Sequence, residues 1–291
     1  MNACRLCSSN DLEARYRIND VTVERCRSCG FVQVKDRPNQ EDLLELYSPT
    51  YFDHGKYSDT FALNKENDRR LALMQRQRLP RGARVLDAGC ATGDFLSHAK
   101  HDYDMWGLDI SEFAVREAQQ KNPEIASQIR SGLVENQDYQ EGFFDAIVMW
   151  DVLEHLWDPI ESCRKLLWTL KPGGCLFIST PNVGSLAARL MGRYWAFMTV
   201  PEHLGFCNRS TMALLLRNRL HMELADWTSK GKWVNCGFLL YKVKRIFPHL
   251  VPQVSVELLR ARPFRRLAIY VPSGDIQYAV ARKPFQETHS S

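Results

Sequence analysis

The 291-residue sequence has no apolar run of membrane-spanning length, no charged-then-apolar leader and no strong excess of either charge. The first absence argues against a helical membrane span. The second argues against export. The third is a net charge of +4, too small to announce a nucleic-acid binder by itself. Nine cysteines in a chain without a leader are expected in a reducing compartment, as thiols or metal ligands and not as disulfides. The cytoplasm is the expected location. What is present is ordinary for a globular protein: 45% apolar and 25% charged residues, enough chain for one large domain or two smaller ones. The basic excess is local, with nine Lys/Arg against three Asp/Glu from Tyr241 onward.

The chain is organised around Arg84 to Leu96, read as strand, tight turn and helix. Gly89 suits a turn where a side chain would clash, and Gly93 keeps the helix start close to the strand or to a ligand. Backbone N–H groups at such a helix start are ready to hold a polar ligand. The pattern D-x-G-x-x-x-G, from Asp87 to Gly93, is not a dinucleotide fingerprint. Its acid, Asp87, suits a ligand that carries an ammonium group.

Asp87-Ala-Gly89-Cys-Ala-Thr-Gly93 resembles the first motif of class I S-adenosylmethionine-dependent methyltransferases. Asp109 matches the acid that family uses on the ribose hydroxyls. Three later segments are similar to the same family and follow in its order: Phe144 to His155, Leu170 to Gly174 and Ile178 to Asn182. The resemblance covers Arg84 to Asn182. It implies a Rossmann-like, doubly wound α/β fold with a seven-stranded, mostly parallel sheet whose last strand is antiparallel. It also implies S-adenosylmethionine as cofactor, bordered by Asp87, Gly89, Cys90, Gly93, Asp109, Ile110, Leu133, Val134 and Trp150. Leu133 and Val134 read equally well as core.

The first 37 residues carry Cys4-x2-Cys7 and, eighteen residues on, Cys26-x2-Cys29. This spacing reads as a four-thiolate zinc ribbon around a hairpin spanning Leu12 to Val23. The alternatives are two accidental pairs or a redox dithiol. So small a unit would draw its folding energy from the metal, and four thiolates leave no position open for catalysis. Residues 38–80 form a helical linker: a helix from Pro38 to Tyr47, then Tyr47, Tyr51, Phe52 and Tyr57, then a charged helix from Asn64 to Leu79. The resemblance puts tyrosines there over the cofactor mouth, and packing between the two units is the plain alternative. The methyltransferase domain is expected over 81–291. Its alternating pattern gives strands at Ile129–Val134, Ala146–Trp150 and Cys175–Thr180, a helix at Ser210–Arg219, and final strands at Met222–Thr228 and Ile269–Arg282. Residues 184–206 read as an aromatic, lid-like insertion.

Ligands of open α/β sheets lie beyond the strand C-termini. The polar candidates there are Asp151, Glu154 and His155, and Glu202-His203 after the insertion. Imidazole titrates near neutrality and is the natural general base. A structural hydrogen bond is the alternative for each histidine. The resemblance to sugar methyltransferases favours Glu202-His203. It further implies a small hydroxylated acceptor, a sugar or natural-product metabolite. O-methylation is favoured because the long further domain of the sugar C-methyltransferases is not expected here. A ribosomal RNA methyltransferase is the rival enzyme. Against it, the charge is modest and Trp150-Asp-Val-Leu-Glu154 stands where a base-methylating Asn-Pro-Pro-Tyr motif would. A binding module that has lost catalysis is the non-enzyme alternative. The basic segment 241–266 reads as a solvated face, or as a surface for an anionic acceptor or a peripheral membrane contact.

Overall fold

The computed structural model describes residues 3–18, 20–36, 38, 60–133, 137–235 and 268–285. The expected helix after Pro38, the aromatics Tyr47, Tyr51, Phe52 and Tyr57, Val134, and the basic segment 241–266 lie outside them.

Strands β1 (Leu12–Ile18), β2 (Val21–Cys26) and β3 (Val32–Val34) form an antiparallel sheet between and after the two cysteine knuckles. Helix α1 (Thr60–Arg76) leads to β4 (Arg84–Ala88), α2 (Asp94–Ala99), β5 (Asp104–Asp109) and α3 (Glu112–Lys121). The chain continues through β6 (Ile129–Ser131), β7 (Phe144–Trp150), α4 (Pro159–Thr169) and β8 (Leu170–Pro181). Then follow α5 (Leu186–Met191), β9 (Gly205–Phe206), α6 (Arg209–Ala213), β10 (Glu223–Asn235) and β11 (Ala268–Arg282).

The large sheet has the order β10-β11-β8-β7-β4-β5-β6. Strands β4 to β8 pair parallel, and β11 runs antiparallel between β8 and β10. The expected seven-stranded, Rossmann-like sheet with an antiparallel last strand is therefore present. Side chains alternate between its faces. Val85, Met105, Val148 and Phe177 pack with Met74, Leu96 and Ala118 of helices α1 to α3. Leu86, Leu108, Ile147 and Ile178 pack on the other face with Cys163 and Leu166 of α4.

Several boundaries differ from the sequence reading. The strand expected over Ile129–Val134 stops at Ser131, because Gly132 takes φ 137 and leaves the strand. The helix expected over Ser210–Arg219 is α-helical only to Ala213 and then widens to π-helical turns from Leu214 to Arg219. The strand expected to end at Thr228 runs on to Asn235, because β11 offers a partner along its whole length.

The cysteine module is joined closely to the rest. β9, at the end of the insertion, adds a fourth strand to the small sheet by pairing with β3. Cys4, Leu6, Cys26 and Phe31 share one apolar core with α4 and the β8 face. Val23, Val32 and Val34 share another with Trp195, Met198, Val200 and Phe206 of the insertion.

Candidate active site

The site is built on the C-terminal ends of the parallel strands, as their crossovers dictate. Asp87 stands near the end of β4, Asp109 ends β5 and Trp150 ends β7. The turn after β4 needs its glycines. Gly89 has φ 90, and a Cβ there would meet Val152 Cγ2 at 2.4 Å. Gly93 has φ 76, and a Cβ there would sit 2.8 Å from Asn122 Nδ2. Asn122 is fully buried and donates to Gly93 O (3.2 Å) and Ala118 O (3.0 Å), so α3 clamps the turn. Asp109 accepts from Ala91 N (2.8 Å) and Ser111 N (2.9 Å), which fixes its carboxylate against the same turn. Burial raises the Asp109 carboxyl, and those two amides oppose the rise.

Asp87 is 2% exposed, and its Oδ1 has no hydrogen-bond partner among the described residues. Burial pushes its carboxyl up to about 7, against the pull of Arg70 and with a further push from Asp109. An orphaned buried carboxylate oxygen is costly unless a donor arrives from outside. The residues therefore fit a nucleoside whose amino-acid end carries an ammonium group, as S-adenosylmethionine does. The Trp150 indole N–H is likewise buried without a partner among the described residues. Arg70, on α1, binds Asp151 Oδ2 at 2.7 Å and lies over the Trp150 ring, 5.4 Å from its centroid. Burial works against the Asp151 carboxylate. Arg70, aided by Lys232 and Ser179, outweighs it and holds the group below its ordinary value. Burial pushes the Cys90 thiol well up, so it is packing and not a nucleophile. Ile110 is half-buried and Leu133 is exposed.

Beside this half lies a second polar cluster. Glu154 is 2% exposed and accepts from Thr180 Oγ1 at 2.8 Å. Burial first, then the charge of Asp151, pushes its carboxyl up to about 8. His155 and His203, expected as rival bases, come together: their rings are perpendicular with centroids 4.8 Å apart. His155 Nδ1 lies 2.9 Å from Glu202 O, and His203 Nδ1 lies 2.8 Å from Phe197 O. A carbonyl only accepts, so each ring carries a proton on Nδ1 and uses that nitrogen as a donor. Glu202 thus enters the cluster through its backbone carbonyl. Ligand atoms of Glu154, His155 and His203 all lie within 4.8 Å of one another, close enough to share one cation.

The four expected thiols also converge. Cys4 Sγ is 3.6 Å from Cys29 Sγ, and Cys7 Sγ is 3.6 Å from Cys26 Sγ. All four sulfurs lie within 4.8 Å of one another. A tetrahedron with zinc–sulfur bonds of 2.3 Å has edges of about 3.8 Å, so the donor set fits structural zinc.

Reading the sequence missed Arg70, Thr180 and Asn122 as site residues. Arg70 sits in a charged helix with no spacing signal. Thr180 lay within a flagged segment, but only the fold brings it to Glu154.

A family model described as a methyltransferase domain matches residues 60–219. A ubiquinone biosynthesis O-methyltransferase from Xanthomonas axonopodis pv. citri is 31% identical over 203 residues, 62% of this chain and 84% of that protein. Among solved structures, a SAM-dependent methyltransferase from Thermotoga maritima aligns with TM-score 0.52 at 15% identity, covering 84% of this chain and 100% of that one. The [4+2]-cyclase SpnF aligns with TM-score 0.51 at 20% identity, covering 75% and 82%. Likeness at that identity establishes the fold, and the cyclase illustrates that the fold alone does not name a reaction.

Proposed function

The chain belongs to the methyltransferase-domain family and is an S-adenosylmethionine-dependent methyltransferase; we propose that it methylates a hydroxyl oxygen of a small acceptor, a sugar or sugar-derived metabolite. The observation that carries this reading is the pair of imidazoles beside the cofactor half, each locked with Nδ1 on a backbone carbonyl. With Nδ1 committed to a carbonyl, Nε2 is the ring nitrogen that would accept a hydroxyl proton. The name of the Xanthomonas relative supports oxygen as the atom methylated.

When bound, the cofactor supplies an electrophilic methyl carbon. The chain's own part is to hold and orient. Asp87 takes the ammonium group, and Arg70 balances the charge around it. Asp109 accepts from the ribose hydroxyls. Gly89, Cys90 and Gly93 would form the turn that holds the nucleoside, with Ile110, Leu133 and Trp150 as further candidates to border it. His203 takes the acceptor proton, and His155, its perpendicular neighbour, competes for that role. Glu202 holds His155 through its carbonyl. Cys4, Cys7, Cys26 and Cys29 bind one structural zinc.

A second reading replaces the sugar with a ubiquinone precursor, on the strength of the relative's name. The test offers purified protein and methyl-labelled cofactor to nucleotide sugars, to catechol and to RNA. Label on a sugar hydroxyl supports the first reading, and label on catechol moves the assignment to the second. Label on RNA overturns both.

A further inference from the structure

The two histidine loops meet at a residue of the cysteine module that no part of the proposed chemistry uses. Arg5 sits between Cys4 and Cys7, within the first knuckle. Its guanidinium donates to Trp157 O at 3.1 Å, to Val34 O at 3.3 Å and to Leu204 O. It also stacks on the Trp157 ring, 4.0 Å from the centroid. Its own backbone N–H donates to Gln33 Oε1 at 2.9 Å.

The three acceptors belong to three different segments. Trp157 follows His155 by two residues, Leu204 follows His203 by one, and Val34 ends β3 of the module. The loops are tied to one another here as well: Leu204 N donates to Glu154 O at 2.7 Å, and Val34 N donates to Leu204 O at 2.9 Å. A planar guanidinium carries five donors in a fixed fork, so it can reach carbonyls on several segments in a geometry that a lysine's single ammonium nitrogen does not reproduce. Buried charge-assisted hydrogen bonds of this kind hold geometry more firmly than neutral ones.

We infer that Arg5 is a positioning residue, through which the cysteine module sets the spacing and orientation of the His155 and His203 rings. The importance of the rings rests on the proposed function, but their placement by Arg5 does not. The module thereby gains a role beyond stability.

The test reads the rings directly and needs no acceptor. Protein carrying 15N-labelled histidine is followed by long-range proton–nitrogen NMR, with the two rings assigned from His155→Gln and His203→Gln. In the wild type both rings should give the Nδ1–H tautomer pattern. In Arg5→Gln both should move toward tautomer averaging, while S-adenosylmethionine affinity by calorimetry stays within about threefold, since the cofactor half lies elsewhere. Arg5→Lys, which keeps charge but not the fork, should recover one ring's pattern more than the other's.

Unchanged ring signals in Arg5→Gln would overturn the inference. So would a parallel collapse of cofactor affinity and ring signals in both variants, since that marks a general loss of structure. The base assignment fails separately: an active His203→Ala enzyme with ring signals that still depend on Arg5 would remove the base and leave the positioning intact.

Discussion

Asp87 and His203 are both needed in their deprotonated forms, one to hold an ammonium group and the other to accept a proton. Asp87 must be ionised to hold an ammonium group, yet burial lifts its carboxyl to about 7. Cofactor affinity should therefore fall by roughly tenfold per unit as pH drops below about 7, with a proton released on binding. Calorimetry in buffers of differing ionisation enthalpy measures that proton. Asp87→Asn should weaken binding by about 1.5–3 kcal/mol and abolish the pH dependence. His203→Ala should lower kcat by about 10²–10⁴ with cofactor affinity nearly unchanged, because the proposed base acts on the acceptor and not on the cofactor. His155→Ala in the same assay discriminates the two: the larger loss marks the base.

Elements were legible in the sequence where local signals agreed with the fold. The glycine turn, the double knuckle and the alternation of apolar strands with capped helices are local, and each was readable in place. What remained hidden was set by long-range pairing. β10 runs to Asn235 because β11 lies beside it, and Gly205–Phe206 is a strand only because β3 supplies its partner. The same reason hid Arg70, Thr180 and Arg5, whose partners lie 81, 26 and up to 199 residues away. At this scale the zinc proposal is testable. Protein purified without added metal should contain one zinc per chain, and Cys26→Ser should lose it and melt at lower temperature. Because Cys4, Leu6, Cys26 and Phe31 share a core with α4, the wild type should melt in one transition. Elemental analysis and scanning calorimetry check both parts, and two separate transitions would contradict the shared core.

For the whole molecule, two buried acids with large upward shifts contribute to the pH dependence of stability. Asp87 and Glu154 have folded-state values of about 7 and about 8, raised above the ordinary carboxyl values of the unfolded chain. Between about pH 4 and 8 the folded state therefore binds more protons than the unfolded one. Their contribution is fully present at the acid end, falls through that window and is gone once pH has risen past the folded values of about 7 and 8. The cofactor-free protein should show a melting temperature that falls from about pH 5 to about pH 8 through these groups. Asp87→Asn with Glu154→Gln should flatten that slope, and a slope unchanged in the double variant would assign it to other groups.

The pairing of β3 with β9 also bears on how the protein is made. Val32 meets Phe206 about 170 residues further along the chain. Translation at 5–20 residues per second leaves the first three strands waiting on the order of 10–35 s for the fourth. During that interval the nascent module displays Val32 on an unpaired edge, with its thiols already outside the ribosome. Early metal capture would close the knuckles and protect that edge, so the order of events at the exit tunnel favours zinc first and the strand from the insertion last.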